Sequence, residues 1–96
     1  MTGDQISPEA AGLRRRLAFQ SRHRGVKELD LILGRFAEVH LAGFGMGELQ
    51  QFAVLLEQQD PDIYDWLVGR VPLPARLQNP VTGRLLDFTN REKTAL

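Results

Sequence analysis

Ser21-Arg22-His23-Arg24-Gly25-Val26-Lys27-Glu28-Leu29-Asp30-Leu31-Ile32-Leu33-Gly34-Arg35-Phe36 is the stretch whose reading decides the fold. Its first half is charged and holds a glycine; its second half is almost continuously apolar. Leu29, Ile32, Leu33 and Phe36 recur at i, i+3, i+4 and i+7, the spacing of one helix face. Leu31 and Val39 lie off that face, which predicts a helix apolar on more than one side and covered by the rest of the chain. The polar front end then projects from a rigid base, a suitable place to present a recognition surface.

Upstream, Ser7-Pro8-Glu9 reads as a helix start: Ser7 as N-cap, Pro8 at the first helical position, Glu9 favourable to the dipole. This helix runs through Ala10, Leu13 and Leu17 to about Gln20. Its Arg14-Arg15-Arg16 run cannot face one way, because neighbours on a helix are about 100° apart. At least two of these arginines therefore belong to a solvated face.

Downstream, the central helix continues to about Leu41. Ala42-Gly43-Phe44-Gly45-Met46-Gly47 then interrupts it. Alternating glycines suggest a phosphate loop, but a dinucleotide fingerprint needs a preceding strand, and here a helix precedes. The segment reads as a flexible interhelical loop. A third helix spans about Gly47 to Gln59, with Leu49, Phe52, Ala53 and Leu56 buried. Asp60-Pro61-Asp62 restarts the chain, with Asp60 as N-cap and Pro61 at the first helical position. Ile63, Trp66 and Leu67 point inward from this short helix, and Gly69 ends it. Val71-Pro72-Leu73-Pro74 is a linker, and Asn79-Pro80 marks the start of a last helix carrying Val81, Leu85 and Phe88. No stretch alternates with period two. The predicted fold is all-α, a single-domain bundle of four to five short helices over residues 1–96, with 1–6 and 92–96 frayed.

The 96 residues carry zero net charge and no cysteine. Disulfides, thiol nucleophiles and thiolate metal sites are thereby excluded. No signal peptide or membrane-spanning run is visible, so a cytoplasmic protein without membrane insertion is expected. The charge is segregated: residues 1–27 sum to +4, residues 28–65 to −7 and the remainder to +3. A dipolar surface of this kind favours oriented docking to a protein over binding a polyanion.

Catalysis has little to work with. His23 and His40 are predicted at opposite ends of one helix, about 25 Å apart, too far for a shared metal or proton relay. His40 reads as a capping or surface residue. No nucleophile–base pair is apparent, and no enzyme is expected. Met46, Phe52, Tyr64, Trp66 and Phe88 read as core. A nucleic-acid binder could use Arg14, Arg15, Arg16, Arg22 and Arg24, but the acidic middle opposes it and no recognition helix follows. A plain regulatory interaction module fits the composition.

Arg24-Gly25-x-x-Glu28 is the unusual feature. A glycine near a helix start costs up to about 1 kcal/mol against alanine. Either Gly25 accommodates the turn between two helices, or its missing side chain leaves bare backbone for a partner to lie against. Glu28, one turn on, falls on the same side and completes a small patch with one charge of each sign.

Ser21 to Asp30, with its Arg24-Gly25-x-x-Glu28-Leu29-Asp30 core, resembles the succinate dehydrogenase FAD assembly factor family. Asp60-Pro61-Asp62-Ile63-Tyr64-Asp65-Trp66-Leu67 is similar to that family's second run, and the likeness spans roughly residues 12–93. The resemblance implies a chaperone-like helper. It would bind the flavoprotein subunit of succinate dehydrogenase, or of fumarate reductase, and promote covalent joining of FAD to it. It also implies a partner-binding surface at Arg24, Gly25 and Glu28, with Asp30 in the same motif. His23 stands where a second arginine is common in the family, and Val26 where a larger apolar residue is common. Nothing in the chain resembles a flavin site, so no bound cofactor is expected.

Overall fold

A computed structural model describes residues 7–95, with side chains through Glu92. The described residues form five α-helices: α1 (Pro8–Arg22), α2 (Lys27–His40), α3 (Met46–Leu56), α4 (Asp60–Leu67) and α5 (Pro80–Ala95). Short 3-10 turns at Leu41–Gly43 and Ala75–Leu77 join α2 to α3 and α4 to α5. Helix starts follow the local chemistry. Ser7 Oγ accepts from the Ala10 amide at 3.3 Å, with Pro8 in the first turn. Asn79 and Thr82 cap α5 reciprocally: Asn79 Oδ1 accepts from the Thr82 amide at 2.9 Å and Thr82 Oγ1 from the Asn79 amide at 3.0 Å. The all-α expectation holds, and no strand occurs among the described residues.

Helix α1 packs on α2 and α3, and α5 packs on both of these from the other side, so four helices enclose one core. Helix α4 lies against α5. Leu17, Leu29, Leu33, Phe36, Leu49, Phe52, Leu55, Ile63 and Leu85 are all at most 1% exposed. Phe36 is the hub. Its ring centroid lies 5.5 Å from that of Phe52, 5.6 Å from Phe88 and 6.1 Å from Phe44, at tilted or edge-on angles suited to aromatic rings. Trp66 faces inward beside Ile63 and Leu67, as the sequence predicts. Phe52 is buried too, whereas Met46, Tyr64 and Phe88 are only partly covered.

Several expectations need correction. Helix α2 is a wall of the bundle, not a rod covered on all sides. Its inward arc is Leu29, Leu33, Phe36 and Ala37; Ile32 sits on the flank, and Leu31 and Val39 are 57% and 63% exposed. It begins at Lys27, after a turn at residues 23–26. Helix α3 stops at Leu56, short of Gln59, and buries Leu55 where Ala53 was expected. Gln59, not Asp60, is the N-cap of α4 and makes no side-chain cap; Asp60 is its first residue. Gly69 does follow α4, in the left-handed region at φ 82°. Residues 1–6 and 96 lie outside the described chain, and the α5 backbone is helical through Ala95, including positions expected to fray.

The Ala42–Gly47 connection is tied down. Arg14, half-buried on α1, donates from Nε to the Leu41 carbonyl at 3.1 Å and from Nη2 to the Phe44 carbonyl at 2.8 Å. Arg15 and Arg16 remain on the exposed face. His40, read as a capping or surface residue, does end α2 but is half-buried in the aromatic cluster, its ring 4.6 Å from Phe36, 6.1 Å from Phe88 and 6.3 Å from Phe44. Its neighbours Phe44 and Phe88 come from other segments, which a local reading does not see. Burial lowers its pKa below 6.5, helped by the charges of Arg84 and Arg91. The unfolded imidazole takes up its proton near 6.5, the folded one only at lower pH. Between those points the unfolded chain holds more protons, so stability is present above 6.5 and is lost as pH falls through that window. A falling melting temperature from about pH 7.5 to about 5.5 in the wild type, flattened in His40→Phe, is the expected outcome. Identical pH profiles in the two proteins would contradict it.

Candidate functional site

The α1–α2 turn presents the unusual motif. Helix α1 ends at Arg22, and α2 starts only at Lys27, with Val26 as N-cap. Gly25 has φ 91°, a backbone conformation costly to any residue with a Cβ. A Cβ built on Gly25 would meet nothing within 4 Å, and the residue is exposed. Gly25 therefore serves the turn through its backbone and leaves the surface bare. Its position outside the helix removes the helical dihedrals that would make a larger residue harmless there.

Arg24 is not an outward-facing charge. Its side chain is 11% exposed and folds back, Nε lying 2.6 Å from Asp60 Oδ1 at the start of α4. Nη2 donates to the Gln58 carbonyl at 3.1 Å. Its backbone amide donates to Asp30 Oδ1 at 2.8 Å, so the Asp30 carboxylate reaches back from the first helical turn of α2 to the turn before it. Arg24 and Asp30 are thus brought together, with Asp60 as a third member.

Glu28 goes elsewhere. It is exposed and lines a shallow apolar trough with Leu31, Ile32, Arg35 and Glu92, where Arg35 Nε pairs with Glu92 Oε1 at 2.9 Å. The Glu28 side chain has no ion pair or hydrogen bond among the described residues. On the other side of the turn, Phe19, Gln20, His23, Arg24 and Asp60 line a depression of about 270 Å³. The His23 ring stacks on Phe19 with centroids 4.0 Å apart, and its Nδ1 lies 2.8 Å from the Phe19 carbonyl. Phe19 is 62% exposed, and its neighbours one helical turn away, Arg15, Arg16, Arg22 and His23, are polar, so no apolar stripe marks it in the sequence.

Three charged groups, one on the turn and two on the helices beside it, with no nucleophile–base pair or enclosed cavity among the described residues, suit contact with a macromolecule better than chemistry on a small one. No helix among the described residues is long and apolar enough to cross a membrane.

A family model described as "Flavinator of succinate dehydrogenase" matches residues 15–89. A protein of Debaryomyces hansenii named succinate dehydrogenase assembly factor 2, mitochondrial, is 41% identical over 100 residues, covering 99% of this chain and 68% of its own length. The FAD assembly factor SdhE of Acetobacter pasteurianus is 39% identical over 77 residues, covering 80% of this chain and 71% of its own. A Dictyostelium discoideum protein, also named succinate dehydrogenase assembly factor 2, mitochondrial, is 36% identical over 73 residues; the match covers 76% of this chain and 52% of that protein.

Proposed function

The chain belongs to the family of flavinators of succinate dehydrogenase, and from that premise we propose that it is an assembly factor that docks on the flavoprotein subunit of succinate dehydrogenase and promotes covalent attachment of FAD there. The same docking extends to the flavoprotein of fumarate reductase. The chain acts as a non-catalytic helper, in the cytoplasm; two of the three relatives described above carry the word mitochondrial in their names.

The docking surface is Arg24, Gly25, Glu28 and Asp30, with unequal roles. Gly25 supplies bare backbone, and Glu28 supplies an unpaired carboxylate on an apolar border. Arg24 and Asp30 hold the turn between them. The observation that carries this reading is the exposed Gly25 at φ 91° with open space around its Cα, flanked by a residue fixed on both main chain and side chain. A rigid, flat, solvent-facing turn loses little freedom when a partner covers it.

Cells lacking the gene, complemented with wild type or Glu28→Ala, test the reading through covalent FAD on the flavoprotein subunit, seen as in-gel fluorescence. Glu28 is exposed and unpaired, so Glu28→Ala should change stability by no more than about 0.5 kcal/mol. Flavinylation should fall at least about tenfold, since a carboxylate desolvated at an interface commonly contributes that much. Deletion cells with unchanged covalent FAD would sink the function, and a fully active Glu28→Ala would remove Glu28 from the surface.

A further inference from the structure

The two motifs stand 36 positions apart in sequence and meet in one ion pair, Arg24 with Asp60. We propose that Asp60 is a positioning residue for the docking turn, acting through Arg24; the inference rests on the docking role given above.

Local chemistry assigns Asp60 another task, capping α4, and it does not perform it: the N-cap is Gln59 and no side-chain cap forms. The carboxylate is committed to Arg24 instead. Exposed ion pairs usually contribute little, but this one is shielded, with 11% and 25% of the two side chains exposed. Arg24 is anchored a second time by the Gln58 carbonyl, so its guanidinium is held against the α3–α4 junction by two contacts. With the Asp60 charge removed, a half-buried cation loses the one counterion it has among the described residues, and hydration pulls it outward.

The side chain is short of slack. Its own amide is fixed by Asp30 on α2, and the next residue is Gly25 at φ 91°. Glycine samples both signs of φ readily, so nothing intrinsic holds it there. Residue 24 is therefore clamped between two helices, and the clamp sets the exit direction into Gly25. Release at Asp60 frees the turn while leaving the core residues untouched. The depression lined by Phe19, His23, Arg24 and Asp60 changes shape with it.

The experiment uses the full chain and the FAD-free flavoprotein subunit of the host's succinate dehydrogenase. Asp60→Asn, Asp60→Glu, Arg24→Ala and the Arg24→Ala/Asp60→Asn double variant are compared at a temperature where circular dichroism gives native helix content. Two readouts are taken: the dissociation constant, and hydrogen exchange of the amides of residues 23–26. Asp60→Asn should weaken binding about tenfold or more and speed exchange in the turn, with α3 and α5 unchanged. The double variant should be no weaker than Arg24→Ala alone, because the two residues act as one unit. Asp60→Glu, which keeps the charge, should recover to within about threefold of wild type.

Unchanged binding in Asp60→Asn would overturn the proposal, as would additive losses in the double variant, which would give Arg24 a direct contact of its own. Exchange that rises equally throughout the bundle would make Asp60 a residue of general stability and overturn it as well. A wild-type chain that does not bind overturns the docking role itself, and that result is visible before any variant is made.

Discussion

Phe36→Ala is expected to lower unfolding free energy by about 3–5 kcal/mol, a large part of the 5–15 kcal/mol typical of whole domains. The ring is fully buried and touches the rings of Phe44, Phe52 and Phe88, so its removal opens a cavity walled by aromatic groups that cannot collapse into it. It also strips the face of His40, whose ring packs 4.6 Å away. Urea denaturation followed by circular dichroism measures the effect. Leu31→Ala on the same helix is the control: Leu31 is 57% exposed, and its truncation should stay within about 0.5 kcal/mol. Equal losses in the two variants would mean that α2 is not oriented as described.

Gly25→Arg should abolish covalent FAD on the flavoprotein subunit, with binding weakened at least about a hundredfold, or about 2.7 kcal/mol. Two effects must be separated. Any side chain at φ 91° strains the backbone, at about 1–2 kcal/mol of stability, and Gly25→Ala isolates that cost. The space around Gly25 is open within the chain, so arginine should unfold the protein no more than alanine does. What arginine adds is bulk where the partner lies. Matching melting temperatures in the two variants, with far weaker binding in Gly25→Arg, is the expected pattern. Equal binding losses would assign the glycine to turn geometry alone, and normal flavinylation in Gly25→Arg would remove this turn from the interface.

Much of the bundle was legible because its punctuation is local. Ser7-Pro8 and Asn79-Pro80 open helices where capping chemistry says they should, and the Ile63/Trp66/Leu67 face needs only the helical period. The misses in side-chain placement depend on residues distant in sequence. Asp60 looks like a cap because the nearby amides of α4 are all that local sequence offers, whereas its partner lies on the far side of α2. His40 looks like a surface residue at a helix end until α5 delivers Phe88 and two arginines to it. Leu31 and Val39 predict coverage by hydrophobicity alone, and only the packing of α2 against α1 and α5 leaves them outside. For the site, Gly25 was recognisable as special, but its positive φ was not. The inward turn of Arg24 was hidden for the same reason as Asp60.

The clamp on Arg24 also orders events in time. Helices α1 and α2 are sequence neighbours and make the most extensive packing in the bundle, so their hairpin closes a short loop and can form early. The pair with Asp60 must bridge 36 positions and waits until α3 is laid down and α4 has started. A chain still emerging from the ribosome, or one with α4 unravelled, carries the Arg24-Gly25 sequence without its finished shape. If the turn is the docking surface, the distant aspartate makes it a token of completed folding, and a partner that reads it would engage only chains whose two halves have come together.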